Sequence, residues 1–425
     1  MITITQIKGI TGSIAMSESE QYSRNTLMDF IELQPLDIEI CDVTLRDGEQ
    51  TPGVVFTKEQ KLAVAIELDS IGVEVIEAGF PVVSAKEKEI VKEIANQGLN
   101  SRICCLSRAV KGDVDAALDC DVDIVSIFIA MSEMHLKYKY HRSLEEMLSC
   151  AKEVIEYATD QGLKVRFAAE DSSRTPIDRL KRAFKEVETE YKVQYLSLAD
   201  TIGILNPTTT YYLVSEIYKS VNTPICIHCH DDLGMATANT LAAAEAGAKQ
   251  LHTTVNAIGE RAGNASLEEV IVALRVQYGI ERYDTTKLTT LSKMVAKYSG
   301  ITPSPNKAIV GQNAFTHESG IHVAAILEEP RTYELFLPSM VGGKRNLIVG
   351  KHTGTKALKG IINSIGFCLE REELCALIEK VKVCTEDKHK SISREQLEKL
   401  IAQVRQEKRT TGNEKNGFLA ENVGE

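Results

Sequence analysis

The chain has 425 residues, 43% of them hydrophobic, enough to bury one large core and a smaller one. Its formal net charge of −11 has no basic stripe to offset it, which argues against a nucleic-acid or anionic-membrane partner. No apolar run reaches the roughly 20 residues of a membrane span, and no basic stretch followed by an apolar one marks a secretory signal. Ten cysteines are scattered through strand-like and helix-like stretches, the pattern of reduced, mostly buried thiols in a cytoplasmic protein.

Residues 1–36 show no sustained period and read as an N-terminal extension. From there strands and helices alternate. Ile38–Leu45 is the first expected strand, and Thr57–Ile71 the first helix, opened by the cap pattern Thr57-Lys58-Glu59-Gln60. Four strand–helix pairs follow: Val73–Ala78 with Ala85–Gln97, Arg102–Leu106 with Asp113–Leu118, Val122–Ile129 with Leu144–Gln161, and Leu163–Ala169 with Pro176–Thr189. Three more complete the set: Val193–Leu198 with Thr208–Ser220, Pro224–His230 with Met235–Ala246, and Gln250–Asn256 with Leu267–Gln277. Eight such units over about 240 residues predict an α/β fold, a (β/α)8 TIM barrel across 37–283. A doubly wound open sheet would need a Gly-rich phosphate turn after its first strand, and Leu45-Arg46-Asp47-Gly48-Glu49-Gln50 is not one. Lys287–Tyr298 reads as helix within a linker or subdomain over 284–345. Helical segments near 355–364, 370–382 and 393–407 make a small, mainly helical C-terminal region over 346–408. The polar residues 409–425 are expected to be a flexible tail.

In a parallel barrel, function gathers where the strands end. Alternation along Ile225–His230 turns His228 and His230 to one face and Cys229 to the other, which sets aside a soft Cys/His zinc site. Asp47 would complete a two-His, one-carboxylate site with positions open for a substrate, such as a 2-oxo acid chelating through its carbonyl and one carboxylate oxygen. Arg46 beside it could stabilise a developing oxyanion. Gln50, Glu77, Thr201 and Arg174 lie at expected strand ends on the same rim and are candidate substrate contacts. Glu170 and Asn264 lie there too. Each of these acids could equally be a helix cap or a structural ion pair.

Asp42 to Gln50 resembles the D-T-T-L-R-D-G-E-Q signature of the acyl-transferring metallo-barrel enzymes, the 2-isopropylmalate, homocitrate and citramalate synthases. His228 to Gly234 and Asn256 to Asn264 are similar to that family's second and third signatures. His317-Glu318-Ser319-Gly320-Ile321-His322 and Gly350-Lys351-His352-Thr353-Gly354 resemble its post-barrel motifs. The resemblance implies a divalent metal ion (Mg, Mn or Zn) on Asp47, His228 and His230, with Asn264 as a weaker ligand. It implies Arg46 as the catalytic arginine, and Glu170 helping His317 to form the enolate of acetyl-CoA. It further implies a homodimer in which His317 and Tyr333 reach a neighbouring subunit's barrel.

Thr51 to Leu62 and Met134 to Lys139 look most like the archaeal homocitrate synthases, which lengthen 2-oxoglutarate stepwise for coenzyme B biosynthesis. The short polar stretch after the last helix agrees, because isopropylmalate and citramalate synthases carry a regulatory domain there. Against it, Glu77-Ala78-Gly79-Phe80-Pro81 is closer to the isopropylmalate pattern. The arginine that reads the distal carboxylate in fungal-type enzymes is replaced by Leu136, leaving Lys137, Lys139 or Arg142 as substitutes. The alternatives are an isopropylmalate or citramalate synthase, a hydroxyacyl-thioester lyase on the same barrel, and a non-catalytic metal-binding scaffold.

Overall fold

Eight short, nearly continuous apolar stretches become eight parallel strands, each too buried to alternate with water. The computed structural model describes Leu27 and residues 35–389 and 391–420. The extension expected over 1–36 therefore lies almost wholly outside the described residues. The strands β1 (Glu39–Asp42), β2 (Val75–Gly79), β3 (Arg102–Arg108), β4 (Ile124–Ala130), β5 (Lys164–Glu170), β6 (Tyr195–Asp200), β7 (Ile225–Cys229) and β8 (Gln250–Thr253) pair in sequence order. β8 returns to β1 with Cys41 opposite His252, which closes the barrel. This is the expected TIM barrel.

The outer helices are α1 (Lys58–Ile71), α2 (Ala85–Ala95), α3 (Lys111–Leu118), α4 (Leu144–Asp160), α5 (Ile177–Glu190), α6 (Pro207–Tyr218), α7 (Ala236–Glu245) and α8 (Leu267–Tyr278). Local chemistry starts several of them. Thr57 and Gln60 form the expected capping box, as do Ser143 with Glu146 and Asn206 with Thr209. α9 (Leu288–Ser299), expected beyond the barrel, belongs to its unit: Asn256 Nδ2 donates to Ser292 O at 2.9 Å, and the Ser292 hydroxyl donates back to Asn256 Oδ1. That unit runs to Pro303 and takes in Ala308–Val310, while Ser304–Lys307 and the residues from Gly311 onward belong to a second.

Two strands end three residues sooner than expected. β1 stops at Asp42 because Asp42 Oδ1 accepts from Thr44 N at 2.9 Å, an Asx turn that competes with the ladder. β8 stops at Thr253, before a turn in which Asn256 and Ala257 both take positive φ.

The second unit holds β9 (Thr316–His317) parallel to β10 (Asn346–Leu347), with α10 (Gly320–Glu328), α11 (Thr355–Ser364), α12 (Arg371–Lys388) and α13 (Arg394–Ala420). Val323, Leu358, Ile362, Leu377 and Ile401 lie in its own apolar core. α13 runs on to Ala420, where a flexible tail was expected from 409. Gln406-Glu407-Lys408-Arg409 are good helix formers, and polarity alone does not stop a helix.

Among the described residues, no helix is long and apolar enough to cross a membrane. All ten cysteines are free, six of them buried, while Cys368 and Cys375 are exposed.

Asp42 gives the barrel a pH-dependent element. Its carboxyl is fully buried, and Oδ2 has no hydrogen-bond partner. Burial, with a smaller push from Glu268, outweighs the Thr44 contacts and raises it from 3.8 to about 7. A folded-state value above the unfolded one means the native state holds the extra proton. Stability from this group is thus present at low pH and lost as pH rises through the folded value. Asp42→Asn is expected to flatten the fall in Tm between pH 5 and 8 and to match or exceed the parent Tm at pH 8. Calorimetric scans giving parallel Tm–pH curves for the two proteins would contradict this.

Candidate active site

The period of β7 turns His228 and His230 into the barrel mouth, while Cys229 faces outward, toward Thr240. Beyond β1 the amides of Arg46, Asp47 and Gly48 all point at Val43 O, at 3.2, 2.8 and 3.2 Å. This tight turn lifts Arg46 and Asp47 over the same mouth. His228 Nε2 lies 3.3 Å from His230 Nε2 and 3.6 Å from Asp47 Oδ2. One ligand atom from each of the three lies within 4.8 Å of the others. Two nitrogens sharing a cation at about 2.1 Å sit roughly 3–3.4 Å apart, so the spacing suits a shared ion.

Asn264 completes the cluster. Its Nδ2 donates to Asp47 Oδ1 at 2.8 Å, while its buried Oδ1 has no hydrogen-bond partner. The loop after β8 depends on glycine to bring it there. A Cβ on Gly259 would stand 2.1 Å from Asn264 Nδ2 and 2.8 Å from Asp47 Oδ1. Gly263, at φ +95, would drive a Cβ to 1.8 Å from Ala257 O. An orphaned oxygen beside two imidazoles and a carboxylate is a donor set that fits a divalent cation.

The electrostatics keep these donors ready. Burial works against the charge on Asp47, but the adjacent Arg46 guanidinium outweighs it and holds the carboxyl well below its usual range. Burial, then His230, pushes His228 down to about 3, and burial also lowers His230. Both imidazoles are neutral at physiological pH, as ligands must be.

Behind the ligands runs a chain of buried charges. Arg46 Nε donates to Glu77 Oε1, and its NH1 donates to Asp47 Oδ2 at 2.5 Å and to Gln50 Oε1 at 3.3 Å. Glu77 Oε2 accepts from Arg166 NH2. Arg166 also reaches Ser126 Oγ at 3.0 Å, Gln250 Oε1 at 3.0 Å and His252 Nε2 at 2.9 Å. Burial opposes the charge on Glu77, but the two guanidinium groups hold its carboxyl below the usual range. The small side chains of Ser126, Ala168, Ser197 and Ala199 leave a cavity of about 430 Å³ above this chain.

Arg46, Asp47, Gln50, Glu77, Glu170, Thr201, His228 and His230 all line that cavity, as their sequence positions suggest. Several of them already bond within the protein. Both Glu77 oxygens accept from arginines, so it orients Arg46. Thr201 Oγ1 accepts from Asp171 N at 2.8 Å.

Arg174 is not part of the wall. Its guanidinium closes on the fully buried Asp171 at 2.9 Å, a counter-charge that this carboxylate requires. Of the three proposed substitutes for a distal-carboxylate reader, only Lys139 reaches the cavity; Lys137 lies over the Tyr138 ring, and Arg142 meets Cys150. Leu136 is buried.

Arg166 and His252 escaped the sequence reading. Their signal was a charged or polar residue at an inward position within Val165-Arg166-Phe167 and Gln250-Leu251-His252. In the second unit, His317 Nε2 lies 3.2 Å from Glu334 Oε1, and Arg345 grips both Glu334 oxygens at 2.7 and 2.6 Å. Tyr333 is half-exposed and stacks on His322 with ring centroids 3.9 Å apart.

The model of the HMGL-like family matches residues 37–295, and that of the homocitrate synthase post-HMGL domain matches 309–389. The chain is 88% identical over 403 residues to the homocitrate synthase AksA of Methanosarcina mazei, covering 95% of this chain and 100% of that one. It is 45% identical over 375 residues to the 2-isopropylmalate synthase of Methanocaldococcus jannaschii, covering 87% of this chain and 72% of that one. Among solved structures, the HMG-CoA lyase of Bacillus subtilis superposes with a TM-score of 0.58 at 24% identity, over 64% of this chain and 98% of that one, a likeness of fold. The chain belongs to the HMGL-like family and, with its post-barrel region and its homocitrate synthase relatives, is an acyltransferase of the homocitrate synthase-like class.

Proposed function

We propose that the protein condenses acetyl-CoA with 2-oxoglutarate to give (R)-homocitrate and CoA, with longer 2-oxo diacids as further acceptors in coenzyme B synthesis. The observation that carries this reading is the meeting of Asp47, His228 and His230 beside Arg46, in a chain so close to a homocitrate synthase throughout. Asp47, His228 and His230 would hold a divalent ion (Mg, Mn or Zn), with Asn264 Oδ1 as a further donor. When bound, such an ion supplies Lewis-acid polarisation of a carbonyl.

The chain's own residues do the rest. Arg46 is fixed by Glu77 and Asp47, so its guanidinium can meet a developing oxyanion without reorganising. Gln50 and the Thr201 hydroxyl face the cavity as hydrogen-bonding groups for the acceptor's carboxylate. Glu170, with His317, takes the methyl proton of acetyl-CoA. His317 and Tyr333 act in the neighbouring subunit of a cytoplasmic homodimer, and so exclude water from the enolate. An isopropylmalate synthase is the second reading, favoured by Glu77-Ala78-Gly79-Phe80-Pro81 and by the relative from Methanocaldococcus jannaschii.

Free-thiol release from acetyl-CoA, followed with 2-oxoglutarate, 2-oxoisovalerate and pyruvate in parallel, is expected to give the highest kcat/KM with 2-oxoglutarate. A preference for 2-oxoisovalerate would replace the first reading with the second. His228→Ala is expected to lose the bound metal in elemental analysis after dialysis, while the parent protein retains about one ion per chain. Equal metal content in the two would remove His228 from the ligand set. Mixing Arg46→Ala with His317→Ala under conditions of subunit exchange should restore activity to about a quarter of the parent, since half the dimers then carry one intact site. Two inactive variants that stay inactive on mixing would place both residues in one chain's site.

A further inference from the structure

Glu170 leaves the end of β5 with both carboxylate oxygens engaged. Lys139 Nζ donates to Oε1 at 2.6 Å, and the Tyr140 hydroxyl donates to Oε2 at 3.2 Å. Burial, then Glu170 itself, pushes the Tyr140 phenol upward, so it stays a donor. Both side chains come from Leu136–Tyr140, a π-type turn of the kind that recurs at functional sites. The turn runs out through His141 at φ +52, a costly conformation for a residue with a side chain. Beside it, His135 Nδ1 is buried, has no hydrogen-bond partner, and lies 3.6 Å from Glu170 Oε2.

The other cations on this cavity are held more firmly. Arg46 and Arg166 are buried against Glu77, and Arg261 is gripped at two points by Asp232. Lys139 differs: it is half-exposed, on a flexible stem, and has a single ionic contact. A carboxylate covered by an ammonium must shed that contact before the covered oxygen can take a proton. An acceptor with a second carboxylate offers the ammonium another partner, whereas a monocarboxylate does not.

We propose that Lys139 reads the acceptor's second carboxylate, and that its transfer from Glu170 to that carboxylate frees Glu170 to act as base. In the step so released, a C–H bond of the thioester methyl breaks and its proton goes to Glu170 Oε1. The electron pair stays on the enolate, and Tyr140 keeps Oε2 in place. Specificity then arises in the rate of enolisation as well as in binding. The inference rests on reading the cavity as that of a 2-oxo diacid condensing enzyme.

The test uses the metal-loaded full chain, with Lys139→Met and the conservative Lys139→Arg. Thiol release is measured with 2-oxoglutarate and 2-oxoisovalerate, and solvent deuterium exchange into the acetyl-CoA methyl with and without glutarate, a diacid that cannot condense. In the parent, glutarate is expected to stimulate exchange. In Lys139→Met the KM for 2-oxoglutarate should rise about 10- to 100-fold, the loss typical of one charged hydrogen bond, with little change for 2-oxoisovalerate. Exchange in that variant should ignore glutarate, and Lys139→Arg should recover much of both effects. Lys139→Gln gives the same readings if the methionine variant is unstable. An unchanged KM for 2-oxoglutarate in Lys139→Met, or parent exchange indifferent to glutarate, overturns the proposal. A parent enzyme that releases no CoA with any acceptor overturns the underlying reading instead.

Discussion

The site is organised by a buried alternation of charge, Arg166, Glu77, Arg46 and Asp47, running from the barrel interior to its rim. Bringing four charges out of water costs several kcal/mol apiece, and only close pairing offsets that. Each acid here touches at least one guanidinium, and Glu77 touches two. The members come from three places: Arg166 from β5, Glu77 from β2, and Arg46 and Asp47 from the turn after β1. Gln250 and His252 on β8 anchor the inner end. The array therefore ties separate sides of the barrel together, and removing any one member would leave it with an unbalanced buried charge.

That arrangement accounts for the state of the ligands. Asp47 is kept anionic by Arg46 even though it is nearly inaccessible, while burial and then His230 push His228 down, and burial lowers His230. A carboxylate and two lone-pair donors are thereby available without a proton to displace. The loop after β8 accepts conformational cost to add Asn264. Asn256, Ala257 and Arg261 all sit at positive φ, and such residues persist only where the surroundings over-determine them. The close approach at Gly259 and the reversal at Gly263 are the points where no side chain fits.

Much of this was legible in the chain. The strand–helix alternation was regular enough to number eight units, and Thr57 with Gln60 capped α1 as the spacing required. His228 and His230 faced one way because the period of a strand is two. What stayed hidden was set by distant partners. Arg174 looks like a rim cation in the sequence, but the buried Asp171 claims it, and nothing in the sequence pairs Glu77 with Arg166. Arg166 itself reads as an interruption of an apolar strand, and only a closed barrel supplies an interior where its five donors find partners. The end of β1 was misjudged because Asp42 hydrogen-bonds its own backbone two residues on, which composition does not reveal.

Closure of the barrel is also why residues some 180 positions apart share a site. β1 pairs with β8, and β8 with β7, so the turn after β1 and the end of β7 are separated by one strand only. An open sheet built from the same units gives the first strand no eighth neighbour, and Asp47 and the histidines would then have no common mouth. The pairing of Cys41 with His252 is thus part of the chemistry as well as of the fold. It places His252 beneath His228, with ring centroids 5.5 Å apart, and beside Arg166, so the hydrogen bond that fixes the inner end of the charge chain also supports the histidine wall.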